Sequence, residues 1–150
     1  FNQAVEGIYQ ATPAGRFLHA NTALSHLLGY DSPRALMEAV KDIGRQLYVE
    51  PTRREEFCRL LEHYDVMTDF ESQVYRADGT PTWISENARV IRNAEGGVQW
   101  YQGFLVDISG RKQAEELLEK QNRLQAENWY LQPLGIWWDK VRLCSTSSVK

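Results

Sequence analysis

A change of hydrophobic period near the middle of the chain constrains the fold more than any other feature. From Pro51-Thr52 onward, Phe57, Leu60, Leu61 and Tyr64 stand at i, i+3, i+4 and i+7, the stripe of an amphipathic helix, with Arg53, Arg54, Glu55 and Glu62 on the wet side. From Thr68 the period is two. Phe70, Ser72 and Val74 alternate with Glu71, Gln73 and Tyr75 until Arg76-Ala77-Asp78-Gly79 turns the chain. A second strand over Thr82 to Ile91 and a third over Val98 to Ile108 follow, separated by Asn93-Ala94-Glu95-Gly96-Gly97. Turns this short predict an antiparallel meander, because parallel neighbours need a crossover of about a dozen residues or more.

The first part of the chain adds two more strands. Gly7 to Ala20 reads as a hairpin around Pro13-Ala14-Gly15-Arg16. Asn21 then caps a short helix carrying Ala23, Leu24, Leu27 and Leu28 on one face, with Gly29 at its stop. Ser32 and Pro33 occupy the cap and first position of another, with Leu36, Met37 and Val40 on one side. Helices this short need a core to pack against. The economical arrangement is α+β: one five-stranded antiparallel sheet with helices on one face.

After Ile108 the pattern turns polar and helical to about Asn128. Lys112/Glu116, Glu116/Lys120 and Glu119/Arg123 are opposite-charge pairs at i,i+4. Ala114, Leu117, Gln121, Leu124, Asn128 and Leu131 follow coiled-coil spacing, with Gln121 and Asn128 as polar members. The stretch from Trp129 to Lys150 has no clear period. It gathers Trp129, Trp137 and Trp138 around Pro133 and Gly135, and its charges, Asp139, Lys140, Arg142 and Lys150, sum to +2. The chain therefore divides into a core over 1–108, a linker helix over 109–128 and an unassigned tail over 129–150. The tail starts another domain, covers the sheet or is not native sequence, and composition does not separate these.

Composition sets the remaining bounds. A chain of 150 residues, 43% hydrophobic and 25% charged, makes one globular domain that folds without metal or disulfide help. A formal charge of −3 leaves no general basic surface for nucleic acid or anionic lipid. Cys58 and Cys144 form no CxxC pair, and His19, His26 and His63 lie far apart, so no metal spacing is present and a reducing, cytoplasmic setting is expected. No apolar run approaches the roughly 20 residues a membrane helix needs, so no direct membrane insertion is expected. The start at Phe1, without Met or a basic signal region, reads as a piece of something longer.

The chemistry-bearing motifs are absent: there is no GxxxxGK[ST], GxGxxG, HExxH or GxSxG. Cys58 lies beside the apolar stripe in Phe57-Cys58-Arg59-Leu60-Leu61, where a small buried thiol outweighs a nucleophile. His63 sits at a helix end, and ligating haem iron there requires an open pocket beside it. Glu86 and Asp107 are the nearest thing to paired carboxylates, yet both are expected at element boundaries in structural roles. No catalytic or metal residue is assigned.

The order hairpin, short helices, longer helix, meander and charged exit helix resembles a PAS domain, a sensory and dimerisation module of signalling proteins. Gly7-Ile8-Tyr9-Gln10 with Pro13-Ala14-Gly15-Arg16-Phe17-Leu18 is similar to the family's first two strands. Asn21-Thr22-Ala23-Leu24 with Leu28-Gly29-Tyr30 is similar to its N-x-A-x…L-G-Y segment, and Arg76-Ala77-Asp78-Gly79…Trp83-Ile84 to its R-x-D-G…W turn. Asp107-Ile108-Ser109-Gly110-Arg111-Lys112-Gln113-Ala114-Glu115 is close to its terminal D-I-T-x-R-K-x-A-E signature, departing at Ser109 and Gly110. The resemblance covers about Phe1 to Gln125.

What the resemblance implies is a noncatalytic sensory module of a bacterial-type signalling protein, relaying a stimulus through the exit helix to a covalently linked output domain. That output is most often the histidine kinase of a two-component system, with a diguanylate or guanylate-type cyclase as rival. A structural dimerisation domain without ligand is the alternative, and a small enzyme a third reading. Asp107, Ser109 and Arg111 are the expected signal-coupling residues: Asp107 reaches backbone donors at the turn or Arg111, and the Ser109 hydroxyl caps the helix. A ligand between helices and sheet would be lined by Trp83, Ser85, Asn87, Trp100, Gln102 and Phe104, unless these fill a closed core or a dimer face. The cofactor is unknown. The flavin-photoreactive G-x-N-C-R-F-L-Q motif is absent, so Cys58 carries no photoactive role, and His63 stands late in its helix for haem. A noncovalent flavin or a small metabolite stays open. Expected partners are a second copy, through the sheet face or exit helix, and the output domain, with no nucleic acid.

Overall fold

The computed structural model describes residues 5–146, with side chains over 5–128. The elements are β1 (Gly7–Ala11), β2 (Phe17–Ala20), α1 (Thr22–Leu27), α2 (Pro33–Ala39), α3 (Ile43–Gln46), α4 (Pro51–Tyr64), β3 (Val66–Tyr75), β4 (Pro81–Arg92), β5 (Val98–Asp107) and α5 (Ser109–Thr146). The caps follow the sequence: Asn21 accepts from the Leu24 N–H and Ser32 from the Ala35 N–H, while Pro33 and Pro51 open α2 and α4. One helix had no sequence signal beyond Asp42, whose carboxylate accepts from Arg45 N–H and starts α3.

The five strands form one antiparallel sheet, as the periodicity predicts, and the structure sets their order as β2-β1-β5-β4-β3. Alternation along the strands sets two faces. The helix-side face carries Tyr9 and Ala11 of β1, Phe70 and Val74 of β3, Ile84 and Ala88 of β4, and Tyr101 and Leu105 of β5. These divide into two apolar clusters. One joins Tyr9, Ala11, Val74, Ile84 and Leu105 to Leu24, Leu28, Leu36, Ile43 and Leu47. The other joins Phe70, Ala88 and Tyr101 to Phe57 and Leu61 of α4.

Two side chains of α4 depart from the expected stripe. Tyr64 is exposed, because the helix ends there in a left-handed Asp65 and β3 leads away. Arg54, read as part of the wet side, is buried: it stands one turn before Phe57 and two before Leu61, on the face turned to the sheet. Its neighbour Arg53 lies over the ring of Phe70 and donates to Glu71 O and Glu56.

The chain splits into two compact units, Phe1–Gly110 and Arg111–Lys150. Within the second, Arg111 and Lys112 each approach Glu115, at 3.5 and 3.6 Å, and Leu117, Leu118 and Leu124 are exposed. The composition shift at Trp129 does not end a helix, since α5 runs on to Thr146. Leu131 and the tail tryptophans lie outside the described side chains.

Candidate functional site

Between the two apolar clusters lies a buried polar group assembled from four elements. Glu86 falls in the middle of β4 on the helix-side face, between Ile84 and Ala88, and is 2% exposed. The Tyr9 hydroxyl from β1 donates to its Oε1, and the Tyr48 hydroxyl, after α3, donates to its Oε2 at 2.7 Å. Arg54 comes from α4, with its guanidinium carbon 5.8 Å from the Tyr48 ring centroid and 5.1 Å from that of Phe57. β5 passes beneath at Gly103, where an added Cβ would stand 3.0 Å from the Tyr9 hydroxyl.

Electrostatics keeps these groups in complementary states. Burial, followed by the charge of Glu86, pushes the Tyr9 and Tyr48 phenols well above their usual range, so both remain donors. Burial opposes the Arg54 charge, but the negative charges that Tyr48, once ionised, and Glu86 set beside it outweigh that and hold the guanidinium above its ordinary value. Nearer α4's outer end, burial and a hydrogen bond to Glu62 raise Tyr101. The sign for stability follows: what these three phenols contribute is fully present below the unfolded tyrosine value of about 10 and is lost as pH rises through their folded values. Thermal midpoints followed into alkaline solution, with tyrosinate absorbance alongside, are expected to fall as the phenols ionise. Full tyrosinate absorbance with an unchanged midpoint would contradict this.

The residues expected to line an interior pocket lie on the other face. Trp83, Ser85, Asn87, Trp100, Gln102 and Phe104 have the opposite parity to Ile84, Glu86, Tyr101 and Leu105, so they face away from α1–α4. Asn87, Gln102 and Phe104 line a groove of about 430 Å³ there, walled by Ile8, Val66 and Arg89. The interior itself is nearly filled. Its cavity, bounded by Tyr9, Tyr48, Arg54, Glu86 and surrounding aliphatic side chains, measures about 20 Å³, where ligand pockets commonly span roughly 300–1,000 Å³. A flavin ring does not fit this interior as its side chains stand.

Cys58 is half-buried on α4, and burial raises its thiol above the ordinary value, against the thiolate a nucleophile needs. His63 is exposed and packs edge-on against Tyr64, away from the interior cavity. Among the described residues no cluster of His, Cys, Asp or Glu has the makings of a metal site, and no helix is long and apolar enough to cross a membrane.

The second grouping is at the end of β5. Asp107 Oδ1 accepts from the Ser109 N–H at 2.8 Å and Oδ2 from Arg76 Nη2 at 3.2 Å. Arg76, in the β3–β4 turn, also reaches Thr82 Oγ1, and the Ile108 N–H donates to Trp83 O at 3.0 Å. The capping acceptor is thus the Asp107 carboxylate rather than the expected Ser109 hydroxyl, since Ser109 is already the first helical residue. Arg111 follows on the first turn of α5, facing Glu115. Arg76 escaped the sequence reading because its partner lies 31 positions away.

A family model described as a PAS domain matches residues 5–110. A methyl sulfide methyltransferase-associated sensor of Methanosarcina acetivorans is 41% identical over 59 residues, covering 37% of this chain and 6% of that protein. The chain thus matches only a small part of that relative's length. Among solved structures, a sensory box histidine kinase/response regulator from Burkholderia thailandensis aligns over 83% of this chain and 92% of its own, with TM-score 0.65 and 20% identity. A light-oxygen-voltage domain studied with a flavin analogue aligns over 80% and 90%, with TM-score 0.57 and 21% identity. At such identities the two structures speak for the fold alone.

Proposed function

The chain belongs to the PAS domain family, and from that premise we propose that it is a noncatalytic sensory and dimerisation module that relays a stimulus through α5 to a linked histidine kinase. The observation that carries this is the Asp107 junction. One carboxylate ties the last residue of β5, the β3–β4 turn and the first N–H of α5 together. A change of twist between β4 and β5 must therefore alter the cap on the exit helix, which is the differential contact a two-state relay requires. Asp107, Ser109 and Arg111 serve this coupling, and Arg76 joins them.

A second copy is the proposed partner, through α5 or the outer sheet face. Exposed Ile8, Val66 and Tyr75 on that face, and Leu117 and Leu124 on α5, support it. The sensor-named relative supports the sensory part of this reading.

Asp107→Ala in the full-length parent tests the relay. Loss of a capping acceptor and a half-exposed ion pair is expected to cost this domain about 1 kcal/mol, while stimulus-dependent output changes by far more than that loss of fold explains. Unchanged stimulus dependence in a folded variant would sink the coupling role.

A further inference from the structure

We infer that the interior of this domain is a carboxylate-binding site whose occupant is its own Glu86. Two donors from two other parts of the fold converge on that side chain, Tyr9 from β1 and Tyr48 from the segment after α3, and the buried guanidinium of Arg54 from α4 borders the same cavity. Each carboxylate oxygen is taken by a different phenol. None of these groups lies on β4, and Glu86 reaches them from that strand as a tethered ligand.

Two further observations point the same way. The buried Arg54 Nη2 has no hydrogen-bond partner, so a charged donor at this cavity stands ready for a further acceptor. The cavity of about 20 Å³ bordered by Arg54 and Glu86 adjoins it. Burying an arginine is costly unless charge and hydrogen bonds compensate, and the compensation here is the arrangement a free monocarboxylate would receive. Shortening Glu86 to a methyl group joins its vacated volume to that cavity, leaving two phenolic donors and a guanidinium around a space of formate or acetate size. This occupancy holds whether or not α5 relays a signal, so failure of the coupling experiment leaves it standing.

The experiment compares the whole chain with its Glu86→Ala variant by thermal unfolding in sodium acetate, sodium formate and sodium chloride at equal ionic strength near neutral pH. Wild-type protein is expected to show no difference between the salts, because the tether fills the site. The variant is expected to gain a saturable rise of about 4 °C when acetate stands roughly fivefold above its Kd, and Glu86→Ala with Arg54→Met is expected to lose that gain. Equal shifts in wild type and variant, or none in either, would overturn the assignment. If the variant is unfolded in chloride, circular dichroism during an acetate or formate titration decides: recovery of the fold supports the site, and failure to recover it counts against it.

Discussion

Gly103→Ala is expected to destabilise the domain by about 3 kcal/mol, at the upper end for overpacking. The reason is geometric. A Cβ at this position would lie 2.4 Å from the Asn87 carbonyl oxygen and 2.9 Å from the Ala88 Cβ. The first of these is backbone of the neighbouring strand, which cannot step aside without opening the β4–β5 ladder at the Ala88↔Gly103 pair. The Tyr9 hydroxyl, 3.0 Å from the same point, would be pushed from Glu86 as well. Denaturant midpoints for the purified variant measure the loss. Gly110→Ala is the internal control: nothing lies within 4 Å of its added Cβ, and alanine in the first turn of α5 should be neutral or stabilising by up to about 1 kcal/mol. A Gly103 variant as stable as that control would show that the two strands have room for a methyl group between them.

Arg54→Leu is the second large effect, expected to cost about 3–5 kcal/mol, because it strands the buried Glu86 carboxylate without its cation. Replacing Glu86 alone strands Arg54 in turn. The double replacement, Arg54→Leu with Glu86→Leu, removes both charges and leaves only the Tyr9 and Tyr48 hydroxyls short of an acceptor, a loss nearer about 1–3 kcal/mol. The double is therefore expected to fall well below the sum of the singles in a denaturant cycle. Additive losses would mean that Arg54 and Glu86 do not feel one another.

The elements were legible in the sequence because they rest on local signals. Asn21, Ser32 and Pro33 mark their helix starts by chemistry that acts within three residues, and the turns at Asp78-Gly79 and Gly96-Gly97 sit where the strand period breaks. The order of the meander and the fold class followed. The face of each strand did not. In β4 both parities mix apolar with polar residues, Trp83, Ser85 and Asn87 on one and Ile84, Glu86 and Ala88 on the other. Taking the aromatic set as the inside inverted the sheet by one residue. Glu86 was read as a boundary carboxylate for the same reason: nothing within its own strand announces donors at Tyr9, Tyr48 and Arg54, which lie tens of residues away. Arg54 had one usable signal, its spacing of three and seven to Phe57 and Leu61, overruled by the habit of placing arginine in water.

The strand order has a consequence for how such a chain is made. Of this sheet, β1 is the first strand to leave the ribosome, yet its inner neighbour is β5, the last of the five, with Gly7 pairing to Leu105. Closing so long a loop adds only a logarithmic entropy cost, but contacts of this sequence separation are slow to form. Until Val98 and its successors emerge, the nascent chain holds two detached ribbons, β2–β1 and β3–β4, and the apolar faces of α1 and α4 have half a floor to settle on. The centre of the sheet is the last part of it to exist.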